Sequence, residues 1–192
     1  MKNKLFGTRV YLCGAMDRVQ DGGIGWRNMI TPFLNSLGSI VLDPCDKPTT
    51  EAVEDAELRR IRHSHKDKGE FDKVRDIMKP IRAVDLRLVD ISDYLVVNLD
   101  PCIHACGTYE EIFLANREKK PIIIHIAGEK SDTPDWLFAT VPHEMVFPKW
   151  EMIKTYLHNI NTGQDTRTFN RWQFFDMEKA TKLMMERYSE YT

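Results

Sequence analysis

DYLVVNLDPCIHACGTYEEIFLA, residues 93 to 115, decides how the rest of the chain is read. Tyr94 to Leu99 is a short, nearly unbroken apolar run, the mark of a strand buried on both faces. Asp100-Pro101 closes it, because proline cannot continue a central strand. Gly107-Thr108-Tyr109-Glu110-Glu111 then opens a helical pattern over Thr108 to Arg117. A buried strand that delivers a loop and a helix N-terminus is where open α/β sheets bind ligands. Glu111 stands in the first turn of that predicted helix, where the dipole favours an ionised carboxylate.

The flanking sequence extends the same alternation. Upstream, Thr8 to Cys13 (TRVYLC) predicts a first strand that ends at Gly14. A polar loop with Asp17, Asp21, Gly22, Gly23 and Gly25 follows. Trp26 to Leu37 shows helical spacing and stops at Gly38, and Ser39 to Leu42 predicts a short second strand. Residues 44 to about 70 are polar and charged and predict a mobile flap with some helix. Phe71 to Met78 and Ile81 to Ile91 predict two helices that meet at Pro80. Downstream, Pro121 to Ile126 (PIIIHI) predicts a fourth strand, Val141 to Phe147 an edge strand, and Pro148 to His158 a helix. Beyond Asn159 the composition turns polar, and Trp172 to Tyr188 predicts an added C-terminal helix.

Bulk properties narrow the class of function. The chain has 192 residues, enough for one α/β core, with 42% hydrophobic and 29% charged residues. A net charge of −2 supplies no basic field to hold nucleic acid, so a small-molecule role is expected. No apolar run approaches the ~20 residues that span a bilayer, so no membrane partner is expected. The apolar part of the N-terminus is too short and interrupted for a signal peptide. Cys13, Cys45, Cys102 and Cys106 therefore read as free thiols of a cytoplasmic protein.

Four groups of residues could carry chemistry. Glu111, if fixed and ionised, can attack an anomeric carbon; alternatively Glu110 and Glu111 only complement a helix dipole at the surface. Asp85 lies between Ile81 and Leu88, at the border of an apolar stripe. A partly buried acid there needs a partner or a chemical use. It could hold a proton for a leaving group, bind a sugar hydroxyl, or pair with Arg82 or Arg87. Gly14 allows a ligand to approach the backbone after strand 1, and Asp17 either accepts sugar hydroxyls or caps a turn. Trp26 offers a wall on which a base could stack. Cys102, His104 and Cys106 lack a second ligand pair at zinc spacing, so no metal is expected, and no cofactor motif is present.

Taken in order, three motifs resemble the nucleoside 2-deoxyribosyltransferase superfamily, which includes deoxynucleoside 5′-monophosphate N-glycosidases. They are Val10-Tyr11-Leu12-Cys13-Gly14, then Val84-Asp85-Leu86 with Ser92-Asp93-Tyr94-Leu95-Val96-Val97, then Gly107-Thr108-Tyr109-Glu110-Glu111-Ile112-Phe113-Leu114-Ala115. The last looks like the family's G-x-x-x-E-[IL]-x-x-A element, and the resemblance covers about residues 8 to 158. It implies that Glu111 is the nucleophile that forms a glycosyl-enzyme intermediate, and that Asp85 assists at the sugar and base. It further implies that Tyr11, Gly14 and Gly107 belong to the substrate site, and that the protein is a homo-oligomer whose subunits complete one another's sites. Ala15 and Ala105 depart from it, standing where the monophosphate glycosidases carry phosphate-contacting serines; Arg18, Arg27 or the 59–68 stretch are the possible substitutes.

Strands, helices and right-handed crossovers together predict an α/β fold: a flavodoxin-like, doubly wound, mostly parallel five-stranded sheet in the order 2-1-3-4-5. Residues 1–160 form the transferase-like domain and 161–192 a C-terminal helical extension. The expected function is cleavage or transfer of the N-glycosidic bond of a (deoxy)nucleoside or its 5′-monophosphate. Two alternatives stay open at this point. One is a phosphoribohydrolase of the cytokinin-activating type, which shares a G-T-x-x-E element. The other is a non-catalytic nucleotide-sensing module on the same fold.

Overall fold

A computed structural model describes residues 3–47, 49, 52 and 54–189. The described elements run β1 (Arg9–Gly14), α1 (Ile24–Ser36), β2 (Ile40–Leu42), α2 (Ala56–Asp67), α3 (Phe71–Ile91), β3 (Tyr94–Leu99), α4 (Cys106–Arg117), β4 (Ile122–Ile126), α5 (Asp135–Phe138), β5 (Val146–Phe147), α6 (Trp150–Thr162) and α7 (Met177–Ser189). The five strands pair in the order β2-β1-β3-β4-β5, and every pairing is parallel. This is the expected flavodoxin-like topology.

Strand periodicity sorts the core into two layers. On β1, Tyr11 and Cys13 face one side of the sheet while Val10 and Leu12 face the other. On β3, Leu95, Val97 and Leu99 join Tyr11, and Tyr94 and Val96 join Val10. The first face packs under α3 and α4 through Leu88, Val89, Ile112 and Ala115. The second packs under α1 and α6 through Ile30, Leu34, Ile153 and Leu157. Burial on both faces is why these strands read as continuous apolar runs.

Four elements differ from the sequence reading. Within the expected mobile flap, Ala56–Asp67 form helix α2, which packs on α3; residues 48, 50, 51 and 53 of that stretch lie outside the described residues. Asp55 caps it by accepting from the Leu58 amide at 2.7 Å, and Arg62 on its inner face is buried. The two helices expected around Pro80 are one helix, α3. The proline removes one intrahelical donor but does not end the helix, because packing holds both sides of it. Arg62 Nη1 lies 3.0 Å from Met78 Sδ before it, and Ile81, Leu88 and Val89 are buried after it. The C-terminal helix begins at Met177, so Trp172 lies outside it. Trp172 is buried instead, donating to the Tyr156 hydroxyl at 2.9 Å and packing on Tyr94. The edge strand is also shorter than expected: a 3-10 turn at His143–Met145 precedes β5.

At the C-terminal end of β1 a buried cation locks the chain. Arg27 is fully buried; it donates to Gly23 O at 2.8 Å, Gly14 O at 3.1 Å and Leu12 O at 3.3 Å, and its Nε lies 3.4 Å from Asp43 Oδ1. Replacing it by methionine leaves three carbonyls without their donor and Asp43 without its ion pair. Arg27→Met is expected to lower the unfolding free energy by about 3–5 kcal/mol in urea titration; a loss below about 1 kcal/mol, the worth of a surface pair, would reject the clamp.

Candidate active site

The C-terminal ends of β1 and β3 open into a cleft of about 960 Å³. Its walls come from the loop after β1, from α2, from α3, and from the start of α4. This is the crevice position expected for an open parallel sheet. Gly14, Asp17, Asp85, Gly107 and Glu111 all line it.

Glu111 is held from below. Tyr11 Oη donates to Glu111 Oε1 at 2.9 Å, and Cys13 Sγ donates to Oε2 at 3.0 Å. Both donors are fully buried and sit two residues apart on one face of β1, so a single strand fixes both carboxylate oxygens. The expectation that Glu111 lies in the first turn of its helix is corrected. Helix α4 starts at Cys106, its first turn holds no acidic residue, and Glu111 lies beyond that turn. The dipole argument for an ionised carboxylate therefore fails. Burial instead pushes Glu111 up to about 7, against the Cys13 and Tyr11 hydrogen bonds, which favour its charged form. Burial and the nearby Glu111 also push the Tyr11 hydroxyl and the Cys13 thiol well above their usual ranges, so both stay protonated donors.

Asp85 faces the same cleft from α3. It pairs with neither Arg82 nor Arg87: Arg82 bonds Glu110, and Arg87 lies 3.9 Å from Asp90. Its partner is Lys47, whose Nζ lies 2.9 Å from Oδ1 but outside hydrogen-bonding angles. Burial pushes Asp85 up to about 6, opposed mainly by Lys47. The cleft thus presents two carboxylates on separate helices, both titrating close to neutrality. Such groups can exchange protons with a substrate at working pH.

Other expected site residues divide between the cleft and its surroundings. Asp17 lines the cleft and is ion-paired with Arg62 of α2. Gly14 is required by close approach: a Cβ there would sit 2.9 Å from Asn98 O and 3.0 Å from the Trp26 ring. Tyr11 lies beneath the cleft wall, holding Glu111 rather than facing the opening. Trp26 is absent from the walls. Its ring stacks on Trp150 at 5.5 Å, and Trp150 stacks on His125 at 4.3 Å, on the opposite face of the sheet. Arg27 is sealed in the core and is no phosphate ligand, while Arg18, His63 and Lys66 reach the cleft. Among the described residues no group of three or more His, Cys, Asp or Glu side chains is arranged to hold a metal.

Three contributors escaped the sequence reading: Cys13, Lys47 and Arg62. Cys13 carried a usable signal, its position two residues after Tyr11 on one strand face. Lys47 and Arg62 carried none, since both sit in charged stretches that resemble solvated surface.

The raised Glu111 has a thermodynamic sign. Its folded pKa exceeds the unfolded value, so the native state binds the extra proton between about 4.5 and about 7. The stability this confers is complete below the unfolded pKa and is lost as pH rises through 7. Glu111→Gln is therefore expected to match wild type near pH 4 and to exceed it by roughly 1–3 kcal/mol at pH 8 in denaturant titration. A variant less stable than wild type at pH 8 would contradict this.

Comparison with known proteins places the fold. No family model and no curated protein matches the chain. Among solved structures it is similar to a 2-deoxyribosyltransferase from the psychrotolerant bacterium Bacillus psychrosaccharolyticus, at 14% identity and a TM-score of 0.53, over 88% of this chain and 99% of that one. A conserved protein from Enterococcus faecalis V583 aligns at 17% identity and a TM-score of 0.42, over 81% of this chain and 88% of that one. The chain thus has the architecture of a 2-deoxyribosyltransferase along nearly its whole length.

Proposed function

We propose that the protein cleaves or transfers the N-glycosidic bond of a (deoxy)nucleoside or its 5′-monophosphate, with Glu111 as nucleophile and Asp85 as the assisting carboxylate. The observation that carries this reading is the pair itself. Two carboxylates from different helices line one cleft, and the glutamate is gripped at both oxygens by buried donors. The fold shared with a 2-deoxyribosyltransferase supports the substrate class. A cleft that is open to Glu111 argues against a sensing module with a blocked crevice.

The chemistry follows from the geometry. A Glu111 oxygen attacks the anomeric carbon, the C–N bond breaks, and its electron pair leaves on the base nitrogen, which takes up a proton from solvent water. Water or a second base then attacks the same carbon and releases Glu111. Tyr11 and Cys13 keep the carboxylate oriented through both steps. Helix α2 covers one side of the cleft with His63 and Lys66, which limits the approach of water to the intermediate.

Glu111→Gln is expected to remove activity by several orders of magnitude with the fold retained. Asp85→Asn is expected to lower turnover strongly with a smaller effect on stability. A panel of nucleosides and monophosphates, with and without a labelled acceptor base, checks both. Near-wild-type turnover by Glu111→Gln would end the assignment. Label appearing in intact nucleoside means transfer; free sugar formed at one rate with or without acceptor means hydrolysis.

Assembly belongs to the same reading. We infer a homo-oligomer in which a segment after β4 reaches a neighbour's cleft. Support comes from apolar surface beyond β4: Trp136 is 74% exposed, Phe175 69% and Met184 62%. Light scattering at micromolar concentration is expected to give at least twice the 22.4 kDa chain mass; a single-chain mass refutes it.

A further inference from the structure

Behind the cleft wall, in contact with Asp85, lies a buried cation that neither the strands nor the two carboxylate-bearing helices supply. Lys47 lies in the connection between β2 and α2, and its side chain is 2% exposed. Its ammonium lies 2.9 Å from Asp85 Oδ1 and 3.1 Å from Glu54 Oε1, and it donates to Ala52 O at 3.0 Å. A buried ammonium is tolerated only with compensating charge. Protonating Asp85 would leave Lys47 with Glu54 as its remaining counter-ion at contact distance.

We propose that Lys47 is a positioning residue that keeps Asp85 ionised and turned to the cleft, so that Asp85 accepts a hydrogen bond from substrate instead of donating a proton to the leaving base. The proposal rests on the glycosidic reading for its substrate, but its electrostatic half does not. One oxygen of Asp85 is committed to Lys47, while the residue also lines the cleft. An ionised carboxylate there can receive a sugar hydroxyl or a base N–H. It also places negative charge near an anomeric carbon that becomes positive in the transition state.

The other groups around Asp85 are few. Glu54 comes from the same connection as Lys47, Arg27 from α1, Glu111 from α4, and Tyr11 and Cys13 from β1. Arg82, on its own helix, is engaged by Glu110. Glu54 and Glu111 favour the protonated form of Asp85 and Arg27 favours the charged form. Lys47 is the only one of these cations in direct contact with the Asp85 carboxylate. Removing it therefore raises the Asp85 pKa, whereas removing Glu54 lowers it.

Two readouts test this. In the first, carbon-13 NMR follows the Asp85 carboxyl in aspartate-labelled protein, assigned with Asp85→Asn. Lys47→Met is expected to raise the midpoint by about one unit or more, a tenfold change in the protonated-to-ionised ratio. Lys47→Arg restores it, and Glu54→Gln, which leaves Lys47 in place, lowers it. An unmoved midpoint in Lys47→Met, or a rise in Glu54→Gln, overturns the proposal. In the second, kcat/KM is profiled against pH. Glu111, at about 7, must also be ionised, so an acceptor role requires the acid limb of Lys47→Met to steepen and move up, with activity recovered at alkaline pH. An alkaline limb that moves up, or limbs that stay in place, means that Asp85 is the proton donor or is uninvolved, and overturns it. The NMR midpoint needs no substrate. A wild-type protein without glycosidic activity would thus reject the enzymatic reading while the midpoint still decides the role of Lys47.

Discussion

Everything around the cleft depends on one charge taken out of water. The Arg27 guanidinium bonds the carbonyls of Leu12 and Gly14 on β1, Gly23 before α1, and sits beside Asp43 after β2. An unpaired cation would be far too costly in that position, so the backbone must converge on it. That convergence fixes the loop after β1. Gly23 adopts φ +77°, and a Cβ there would meet Ala15 O at 2.5 Å, so the loop has one tight path. The same guanidinium favours the charged forms of Glu111, Asp85 and Cys13, without touching any substrate. The clamp therefore shapes both the floor of the cleft and its electrostatics.

Above that floor the protein accepts a conflict. Glu111 and Asp85 are each destabilised as anions by burial, and each raises the other's cost. Two buried acids near one opening are a poor way to stabilise a core. On the proposed reading they are chemistry kept ready at neutral pH. Tyr11 and Cys13 orient Glu111 without neutralising it, because neither gives up its proton there. Lys47 does neutralise part of Asp85. The two carboxylates are thus treated differently, one by neutral donors and one by a cation, which is how a pair of like groups acquires separate roles.

The stretch between β2 and α3 is the part of the molecule most changed by folding. Taken alone it is charged and turn-rich. In the structure two of its cations are buried: Arg62 pairs with Asp17 at the cleft wall, and Lys47 reaches Asp85. The helix pair α2–α3 thereby becomes a wall of the cleft, and the connection before it brings the cation that Asp85 needs.

What the sequence determined by itself was the sheet. Its strands are buried on both faces, so their apolar runs and the helices between them specify order and direction with little ambiguity. It also singled out Glu111 and Asp85 as candidates, one after a buried strand and one beside an apolar stripe, with a bland surface or ion-pair role open for each. Only the tertiary structure decided their partners and their protonation. Helix α4 begins two residues before the predicted start, which moved Glu111 out of the dipole's reach and under the control of burial. Trp26, an aromatic residue beside the glycine loop, went to the far face because Trp150 and Gly14 offered it a close-packed slot. Local pattern reports which side of an element is apolar, whereas a charge's partner depends on segments far apart in sequence. Lys47 and Asp85, or Tyr11 and Glu111, meet only when the layers close.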